Sequence, residues 1–313
     1  MNLKQAILLA EHLKANHYEF VTITPESHRT VLARDFDISH ADLRDIFGWN
    51  RPFKHGCVNH NALLFAQEAG FFSQYSEGLK SNVRFSTLNY HLFMHSAYPT
   101  TEADAVFFGP DSYRYARLIK QTVASMPKKQ RKKILDIGTG SGVGGIVLAS
   151  ALEHQYESLM LADINSKALE YAEINVAINA VPNAVFYMSD LYDSVAAPFD
   201  IIVSNPPYLV DASERAYRHG GGEYGSLLST RIVLEGLPLL VDDGVLILYT
   251  ASPIVGGKDL FFDSIKQIFL DKNYSAVYEE IDSDVFGEEL STSAYQKVDR
   301  IAVVSLVVNK ISH

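Results

Sequence analysis

From about Ala105 to the end of the chain, short apolar segments alternate with segments of helical periodicity. This alternation predicts βαβ units with right-handed crossovers, and so a parallel sheet with helices on both faces. The candidate strands are residues 134–137, 159–162, 185–188, 201–204, 244–250, 276–280 and 300–308. The candidate helices are residues 113–123, 143–152, 167–179, 229–240 and 260–270. The fold class predicted is α/β, a doubly wound, mostly parallel sheet of seven strands. A long connection separates the last two strands, which favours an antiparallel pair at a sheet edge.

Residues 1–104 have a different character, and we interpret them as a smaller N-terminal domain of α or α+β type. Residues 105–313 would form the second domain. The chain opens with a predicted amphipathic helix whose apolar stripe is Leu3, Ile7, Leu8 and Leu13. Residues 83–98 are rich in aromatic and β-branched side chains, which predicts strands.

Composition weighs against several classes of protein. The chain has 313 residues and a formal net charge of −10, which weighs against broad binding to duplex phosphates. Cys57 is its single cysteine, so an intramolecular disulfide is excluded and a reducing, cytoplasmic compartment is expected. The chain has no run of about 18 apolar residues, so we expect no membrane span.

A glycine-rich turn follows the first strand of the regular part. The turn begins with Asp136 and has glycines at three alternate positions, Gly138, Gly140 and Gly142. Thr139 lies between the first two glycines and is also a candidate ligand-binding residue. Glycines at these positions let the backbone turn tightly and approach a ligand without Cβ clashes. Alone, this pattern is equally typical of a nucleotide-like ligand site and of a structural turn.

Acidic residues end the next two strands. Asp163 lies 27 residues after Asp136 (163 − 136), where a carboxylate in a doubly wound sheet reaches a ribose diol. Asp190-Leu191 ends the third strand and is placed to meet an adenine amino group. Any one of these aspartates is as readily a helix cap or a solvated turn residue. Three successive strand ends with such residues predict a ligand at the carboxyl edge of the sheet.

The fourth strand runs directly into Asn205-Pro206-Pro207-Tyr208. The prolines fix φ and remove two backbone donors, while their carbonyl groups remain acceptors. The Asn205 side-chain oxygen and the Pro206 carbonyl can together accept both hydrogens of one NH2 group. Tyr208 offers a flat apolar face to a planar amide or base. A rigid proline turn is the plain structural alternative, and the position after the cofactor pattern favours an acceptor site for a planar nitrogen.

With these motifs in place, residues 105–308 resemble class I S-adenosylmethionine-dependent methyltransferases, and in particular the release-factor glutamine N5-methyltransferases. The resemblance rests on residues 134–142, 162–165, 190–191 and 204–208, with a glycine-rich stretch at 221–225. It implies S-adenosylmethionine as the cofactor, with Asp136 near its amino group, the turn passing its methionine moiety and Asp163 on its ribose. The same resemblance adds Ile164, Asn165 and Asn205 to the cofactor-binding residues.

The resemblance implies N-methylation of a glutamine side chain in a protein such as a release factor or another translation factor. Asn205, Pro206 and Tyr208 would be catalytic, and Asn205, Pro206, Pro207 and Tyr208 would bind the acceptor. An exocyclic amino group of adenine or guanine in RNA or DNA fits the same motif. A small-molecule acceptor and a non-catalytic cofactor-binding domain stay open as further alternatives. Residues 1–104 would then recognise the substrate.

Four other features carry less weight. His55, Cys57 and His60 lack the paired spacing of a zinc site, so no metal is predicted. The basic run at residues 128–133 is typical of a solvated loop, with an RNA contact as the alternative. Residues 107–114 differ from the corresponding family segment, and Tyr113 and Arg114 are weak cofactor candidates there. The glycines at 220–222 suggest either a mobile lid or a flexible loop.

Overall fold

The computed structural model describes residues 1–127, 131–211, 215 and 217–312 of the chain. The basic run predicted as a loop lies partly outside these residues. The N-terminal part contains the helices α1 (Leu3–Ala15), α2 (Pro25–Leu32), α3 (Leu43–Phe47) and α4 (His60–Ala69). Two hairpins follow, formed by β1 (Phe72–Tyr75) with β2 (Gly78–Ser81) and by β3 (Val83–Leu88) with β4 (His91–Ser96). The strands predicted at 83–98 are therefore confirmed, and the region is α+β.

The buried face of α1 differs from the predicted stripe. Ala6, Leu9, Ala10 and Leu13 are buried, whereas Leu3 is exposed. Alanines on this face lie in one apolar cluster with the buried alanines of α4. Small side chains let the two helices approach closely, so that the buried stripe follows the alanines as much as the leucines.

The remaining helices and strands alternate as predicted. The helices are α5 (Pro110–Ser125), α6 (Val143–Ala151), α7 (Ser166–Ile178), α8 (Leu227–Gly236) and α9 (Leu260–Ile265), with short 3-10 turns after α8 and α9. The strands are β5 (Arg131–Ile137), β6 (Tyr156–Asp163), β7 (Ala184–Met188), β8 (Phe199–Ser204), β9 (Leu240–Val255), β10 (Lys258–Asp259), β11 (Tyr274–Asp282) and β12 (Arg300–Lys310).

Seven of these strands form one sheet in the order β11-β12-β9-β8-β5-β6-β7, and the two-residue β10 pairs with β9. β5, β6, β7, β8 and β9 are mutually parallel, and β12 is antiparallel to both its neighbours. This confirms the doubly wound α/β class. β11 and β12 do pair in antiparallel fashion, but only β11 lies at the edge. β12 is buried along most of its length, and its apolar sequence suits a position inside the sheet.

The register of the parallel strands brings their carboxyl ends together. Ile137 is level with Ala162 on one side and with Ser204 on the other. Asp163 is level with Met188 of β7. The glycine-rich turn, the acidic strand ends and the Asn-Pro-Pro-Tyr segment therefore all leave the sheet at one edge.

α7 attaches the N-terminal part to this sheet. Its apolar side, with Tyr171 and Ile174, belongs to the same buried cluster as α1 and α4. Asn175 accepts from the Met94 backbone N–H at 2.7 Å and donates to the Met94 and Ser141 carbonyls. These bonds satisfy the edge of β4, which would otherwise present unpaired groups. Within the residues described, no helix is long and apolar enough to cross a membrane.

Candidate active site

The carboxyl edge of the sheet carries a cavity of about 380 Å³, which we call the larger cavity. The turn after β5 and the residues that follow β6 and β7 form much of its lining. Ligands of doubly wound sheets bind outside the carboxyl ends of the strands, so this is the expected position of a ligand. Its lining includes these residues from the sequence-based set: Asp136, Gly138, Thr139, Gly140, Asp163, Ile164, Asn165, Asp190, Leu191 and Asn205.

The glycine-rich turn has the backbone that its sequence requires. Gly138, Gly140 and Gly142 have φ angles of 64°, 54° and 81°, in the left-handed region that glycine occupies without strain. Gly142 is the N-cap of α6, and its N–H donates to the Thr139 carbonyl at 2.8 Å. The turn therefore places the N-terminus of α6 beside the larger cavity.

Asp136 lies at the base of this turn and is 1% exposed. Its Oδ2 accepts from the Thr139 hydroxyl at 2.6 Å and from the Gly145 N–H at 2.8 Å. Burial raises the pKa of this carboxyl to about 7, because removal from water penalises the charged form. A cationic group in the larger cavity would favour the carboxylate and lower that pKa again.

Asp163 ends β6 and is held by backbone donors. Its carboxylate accepts from the Gly140 N–H at 2.8 Å and from the Asn165 N–H at 2.9 Å. Burial raises its pKa as well. Ile164 is 62% exposed and presents an apolar surface to the larger cavity. Asn165 caps α7 and donates to the Asp104 carbonyl at 2.8 Å, so that its side chain already has partners.

The residues after β7 complete the far side of the larger cavity. Leu191 is 8% exposed and has a φ of 47°, in the left-handed region. Asp190 is largely exposed, and Arg231 of α8 lies 3.8 Å from its carboxylate. Such an exposed pair is a weak interaction that a ligand hydrogen bond can replace.

Three buried polar atoms lining the larger cavity have no hydrogen-bond partner among the described residues. They are the Tyr115 hydroxyl, Ser141 Oγ and Asn205 Oδ1. Buried polar groups normally find partners, so this concentration indicates a polar ligand whose groups would complete them. Tyr115 and Ser141 were missing from the sequence-based set. Tyr115 lies in α5, and no spacing rule connects that helix with the turn.

A smaller cavity of about 70 Å³ adjoins the larger one. Both cavities are lined by Phe107, Asn205, Pro207 and Tyr217. The remaining lining of the smaller cavity is Asp111, Pro206, Tyr208, Leu209, Arg218 and Phe286. Asn205 therefore stands between the two cavities with its side-chain oxygen unpaired by any residue that the structure describes.

Tyr208 is fixed by its hydroxyl group. This hydroxyl donates to Asp111 Oδ2 at 2.8 Å, and its ring centroid lies 6.0 Å from that of Phe286. Burial raises the pKa of Tyr208 well above its ordinary value, so that the phenol stays protonated. Tyr113 and Arg114, named from the sequence, point elsewhere: Tyr113 accepts from the Thr22 N–H, and Arg114 pairs with Asp111.

The glycine-rich stretch after residue 219 packs against the acceptor motif. A Cβ on Gly220 would lie 1.9 Å from the Gly225 carbonyl oxygen and 2.8 Å from the Tyr208 Cα. The Gly220 N–H donates to the Leu209 carbonyl at 2.8 Å. These close backbone contacts hold the stretch against the acceptor motif.

Two ion pairs hold the rim of the smaller cavity. Arg215 donates to both oxygens of Asp211, at 2.9 and 2.5 Å, and this bonding lowers the pKa of Asp211 to about 2. Arg218 pairs with Glu289 and lies 3.6 Å from Asp211. Glu289 belongs to the connection between β11 and β12, which the sequence did not suggest as part of the site.

The same connection contributes Phe286, which lines the smaller cavity. Its φ of 55° is unusual for a bulky residue and carries a cost of about 1–3 kcal/mol. Backbone bonds on both sides hold it, from the Val285 N–H to the Ile301 carbonyl and from the Glu289 N–H to the Phe286 carbonyl. The surrounding structure thus over-determines a strained residue at the cavity wall.

Residues 1–104 contribute no side chain to the lining of either cavity. Cys57 donates to the Ile38 carbonyl at 3.1 Å. His28 and His95 are buried, and burial lowers the pKa of His28 to about 4. Among the residues placed by the structure, no group of three or more potential ligands could hold a metal ion.

Comparison with known proteins agrees with this geometry. Residues 118–252 match the family model described as methyltransferase small domain. An 82-residue segment is 49% identical to the release factor glutamine methyltransferase of Lactococcus lactis and covers 26% of this chain and 29% of that protein. A 125-residue segment is 31% identical to ribosomal RNA small subunit methyltransferase C of Haemophilus influenzae and covers 39% of this chain and 36% of that protein. This chain thus spans about a third of each of these relatives.

Among solved structures, the crystal structure of Trm5b from Pyrococcus abyssi superimposes with a TM-score of 0.51 at 15% sequence identity, over 77% of this chain and 62% of that one. At that identity the likeness concerns the fold. Residues 118–252 thus match the methyltransferase small domain, and the sheet shares the Rossmann-like fold of class I S-adenosylmethionine-dependent methyltransferases. The predicted family and fold are confirmed, and S-adenosylmethionine is confirmed as the cofactor of this class.

Proposed function

We propose that this protein transfers a methyl group from S-adenosylmethionine to a side-chain amide nitrogen of a protein, a glutamine of a release factor or related translation factor. The proposal rests on the side-chain oxygen of Asn205. Its unpartnered oxygen is buried at the junction of the two cavities, within the described part of the chain. If this oxygen accepted a hydrogen bond from an NH2 group, it would direct the nitrogen towards the cofactor in the larger cavity.

The larger cavity fits the cofactor group by group. Asp163 reaches the ribose hydroxyls, because a carboxylate held by two N–H groups keeps lone pairs for further donors. Ile164, Asp190 and Leu191 take the adenine, with Ile164 as its apolar support. The glycine-rich turn would hold the amino acid end, with Asp136 as the partner of the ammonium group.

Tyr115 and Ser141 complete the fit at the amino acid end. Their buried oxygens, which have no partner within the described ranges, suit a carboxylate or an ammonium group. S-adenosylmethionine, once bound, supplies an electrophilic methyl carbon on its sulfonium. The residues named above would hold the cofactor in the larger cavity, beside Asn205, which also lines the smaller one.

The smaller cavity orients the acceptor. Asn205 Oδ1 and the Pro206 carbonyl accept the two hydrogens of the NH2 group, which leaves the nitrogen lone pair facing the larger cavity. The Tyr208 ring lies along the plane of the amide. Placing two reactants in this way accounts for much of a transfer rate, about 7–11 kcal/mol in well-oriented cases. As the new carbon–nitrogen bond formed, the bond from the methyl carbon to the sulfonium sulfur would break and leave a neutral thioether. The nitrogen would then give up a proton to solvent.

The charge at the rim supports an amide in preference to a nucleobase. The described arginines at the rim, Arg215 and Arg218, are already neutralised by Asp211 and Glu289. With the net charge of −10, this leaves little to attract a phosphate backbone.

We further propose that residues 1–104 form the substrate-recognition part, that residues 105–313 form the catalytic domain, and that the protein acts in the cytoplasm. Arg215 and Tyr217 both donate to the Thr100 carbonyl, so the rim of the smaller cavity is attached to the end of the N-terminal part. A protein acceptor bound by residues 1–104 would therefore lie beside the cavity that receives its side chain.

A labelling experiment tests the proposal. The purified protein is incubated with cell extract and S-adenosylmethionine tritiated on its methyl group, and the products are treated with protease or with nuclease. Label that protease renders soluble and nuclease leaves in place is the expected result. Label released by nuclease would instead favour a nucleobase acceptor, and label resistant to both would point to a small molecule.

A further inference from the structure

Asp111 lies in the first turn of α5, within the segment 107–114, and the sequence did not suggest it as a site residue. It is 3% exposed. Its Oδ2 accepts from the Tyr208 hydroxyl at 2.8 Å, and its Oδ1 accepts from the Tyr249 hydroxyl at 2.7 Å. Arg114 completes the set by pairing with Asp111 at 3.2 Å. One buried carboxylate thus engages two phenols and a guanidinium group.

The two phenol partners of Asp111 come from distant segments, and its third partner, Arg114, lies on the same helix. Tyr208 follows β8, Tyr249 belongs to β9, and Arg114 extends to Asp282 at the end of β11 at 3.0 Å. Hydrogen bonds to a charged group are about twice as strong as neutral ones. A buried carboxylate that loses such donors is strongly destabilised. The Tyr208 hydroxyl is therefore held more firmly than a phenol bound to a neutral acceptor.

We propose that Asp111 is a positioning residue, which fixes the plane of the Tyr208 ring against the acceptor amide by holding its hydroxyl group. The inference rests on the proposed function, because the amide that the ring would contact is the methyl acceptor proposed there. Both carboxylate oxygens are taken up by phenols, so Asp111 acts through Tyr208. The ring borders the smaller cavity, and without its anchor it would rotate into that space.

The position of the ring is measured without any acceptor. The protein is produced with 3-fluorotyrosine, and the Tyr208 fluorine resonance is assigned by its loss in Tyr208→Phe. Asp111→Ala and Asp111→Asn are expected to shift and broaden this resonance, whereas Tyr249→Phe leaves it sharp. An unchanged Tyr208 resonance in both Asp111 variants would overturn the proposal, whether or not the protein transfers methyl groups. The Asp111→Asn variant keeps the side-chain volume if Asp111→Ala fails to fold.

The consequence for transfer is measured as the initial rate of tritium incorporation into the protein of a fixed cell extract. Asp111→Ala and Tyr208→Phe should each lower the rate about tenfold, the equivalent of one hydrogen bond to a charged group. The rate of the double variant should be no lower than that of the slower single variant, because both changes remove the same hydrogen bond between Asp111 and Tyr208. Multiplied losses would show that Asp111 acts independently of Tyr208 and would contradict the proposal.

Tyr249→Phe is the matched control, because it removes the other phenol from the same carboxylate. A purely structural role would lower the rate of Tyr249→Phe as much as that of Tyr208→Phe, and we expect a loss of no more than about threefold. Melting temperature and cofactor affinity are measured for every variant. If the wild-type protein labels no amide, the proposed function fails, and the fluorine resonance still decides the role of Asp111.

Discussion

The larger and smaller cavities share Asn205 and are built in opposite ways. In the larger cavity, backbone N–H groups of the glycine-rich turn and of α6 hold Asp136 and Asp163. In the smaller cavity, side chains from separated segments hold one another, as in the contacts of Tyr208 with Asp111 and of Arg218 with Glu289. The first cavity is local in sequence, and the second depends on tertiary contacts.

This difference indicates how substitutions would affect each of the two cavities. A cavity made from successive strand ends keeps its geometry as long as the sheet forms, because the register fixes the backbone. A cavity made from remote side chains can be reshaped by altering one connection while the sheet stays intact. We therefore expect substitutions in the smaller cavity to change the transfer of the methyl group and to spare the cofactor.

The largest expected effect comes from the residue that the cavities share. Asn205→Ala removes the oxygen that accepts from the NH2 group, and the rate of transfer should fall about 10²–10³-fold, as for the loss of one preorganised catalytic hydrogen bond. Affinity for S-adenosylmethionine, measured by isothermal titration calorimetry, should stay nearly unchanged. Asn165→Ala is the control with the opposite pattern, since Asn165 lines the larger cavity alone. Equal losses of both properties in both variants would contradict the separation of the two cavities.

Asp163→Ala should produce the next largest effect. Removing hydrogen bonds to a charged group costs about 1.5–3 kcal/mol, a factor of about 10–150 in the dissociation constant of S-adenosylmethionine. Asp190→Ala should cost less, because Asp190 is exposed and its interactions compete with water. Calorimetry compares the two variants. An unchanged affinity for Asp163→Ala would show that this carboxylate does not bind the ribose.

The pH dependence of cofactor affinity sharpens the comparison at Asp136. Burial raises its pKa to about 7, so that below pH 7 the free protein holds this carboxyl mainly protonated. The ammonium group of the cofactor binds the carboxylate form. Affinity should therefore rise as the pH increases, approaching about tenfold per pH unit below pH 7, and should level off between pH 7 and about pH 8, where the ammonium group of the cofactor begins to lose its proton.

Calorimetry over pH 5.5 to 8.5 measures this dependence, with Asp136→Asn as the control. The variant should bind more weakly and with a flatter profile, since residue 136 no longer titrates. His219 also lines the larger cavity, and a slope that persists in Asp136→Asn would assign the titration to another group.

The smallest expected effect lies at the rim of the smaller cavity. Glu289→Gln weakens the pair with Arg218, which is about one-quarter exposed, and the KM for the protein acceptor should rise about threefold. Cofactor affinity should not change. Glu288→Gln removes the same charge from the neighbouring exposed residue and should behave as wild type. Equal behaviour of the two variants would show that general charge, and not the ion pair, matters at the rim.

Sequence reasoning succeeded where structure is local. The seven strands of the sheet and the residues at their ends were predicted because period, turn glycines and strand-end carboxylates are all neighbours in the chain. The strand around 244–250 proved longer, from Leu240 to Val255, and β12 lies inside the sheet. Strand order at that end depends on which faces are buried, and that is decided by packing partners elsewhere.

The remaining part of the site could not be predicted for the same reason. Tyr115, Asp111 and Phe286 reach the cavities from α5 and from the β11–β12 connection, and no spacing rule ties those segments to the motifs. Phe286 owes its place to a left-handed backbone that its residue type disfavours. Helices α2 and α3 were also missed, since each is too brief for a clear helical period, and α4 was missed although it has ten residues.

The central claim is that the nitrogen held at Asn205 is an amide nitrogen of a protein. It is tested by acid hydrolysis of protein labelled with the tritiated methyl group, because hydrolysis of an N-methylated side-chain amide releases methylamine. The account predicts volatile tritiated methylamine from the wild-type reaction and almost none from the Asn205→Ala reaction. Label that stays on a non-volatile amino acid or on a nucleoside would contradict it.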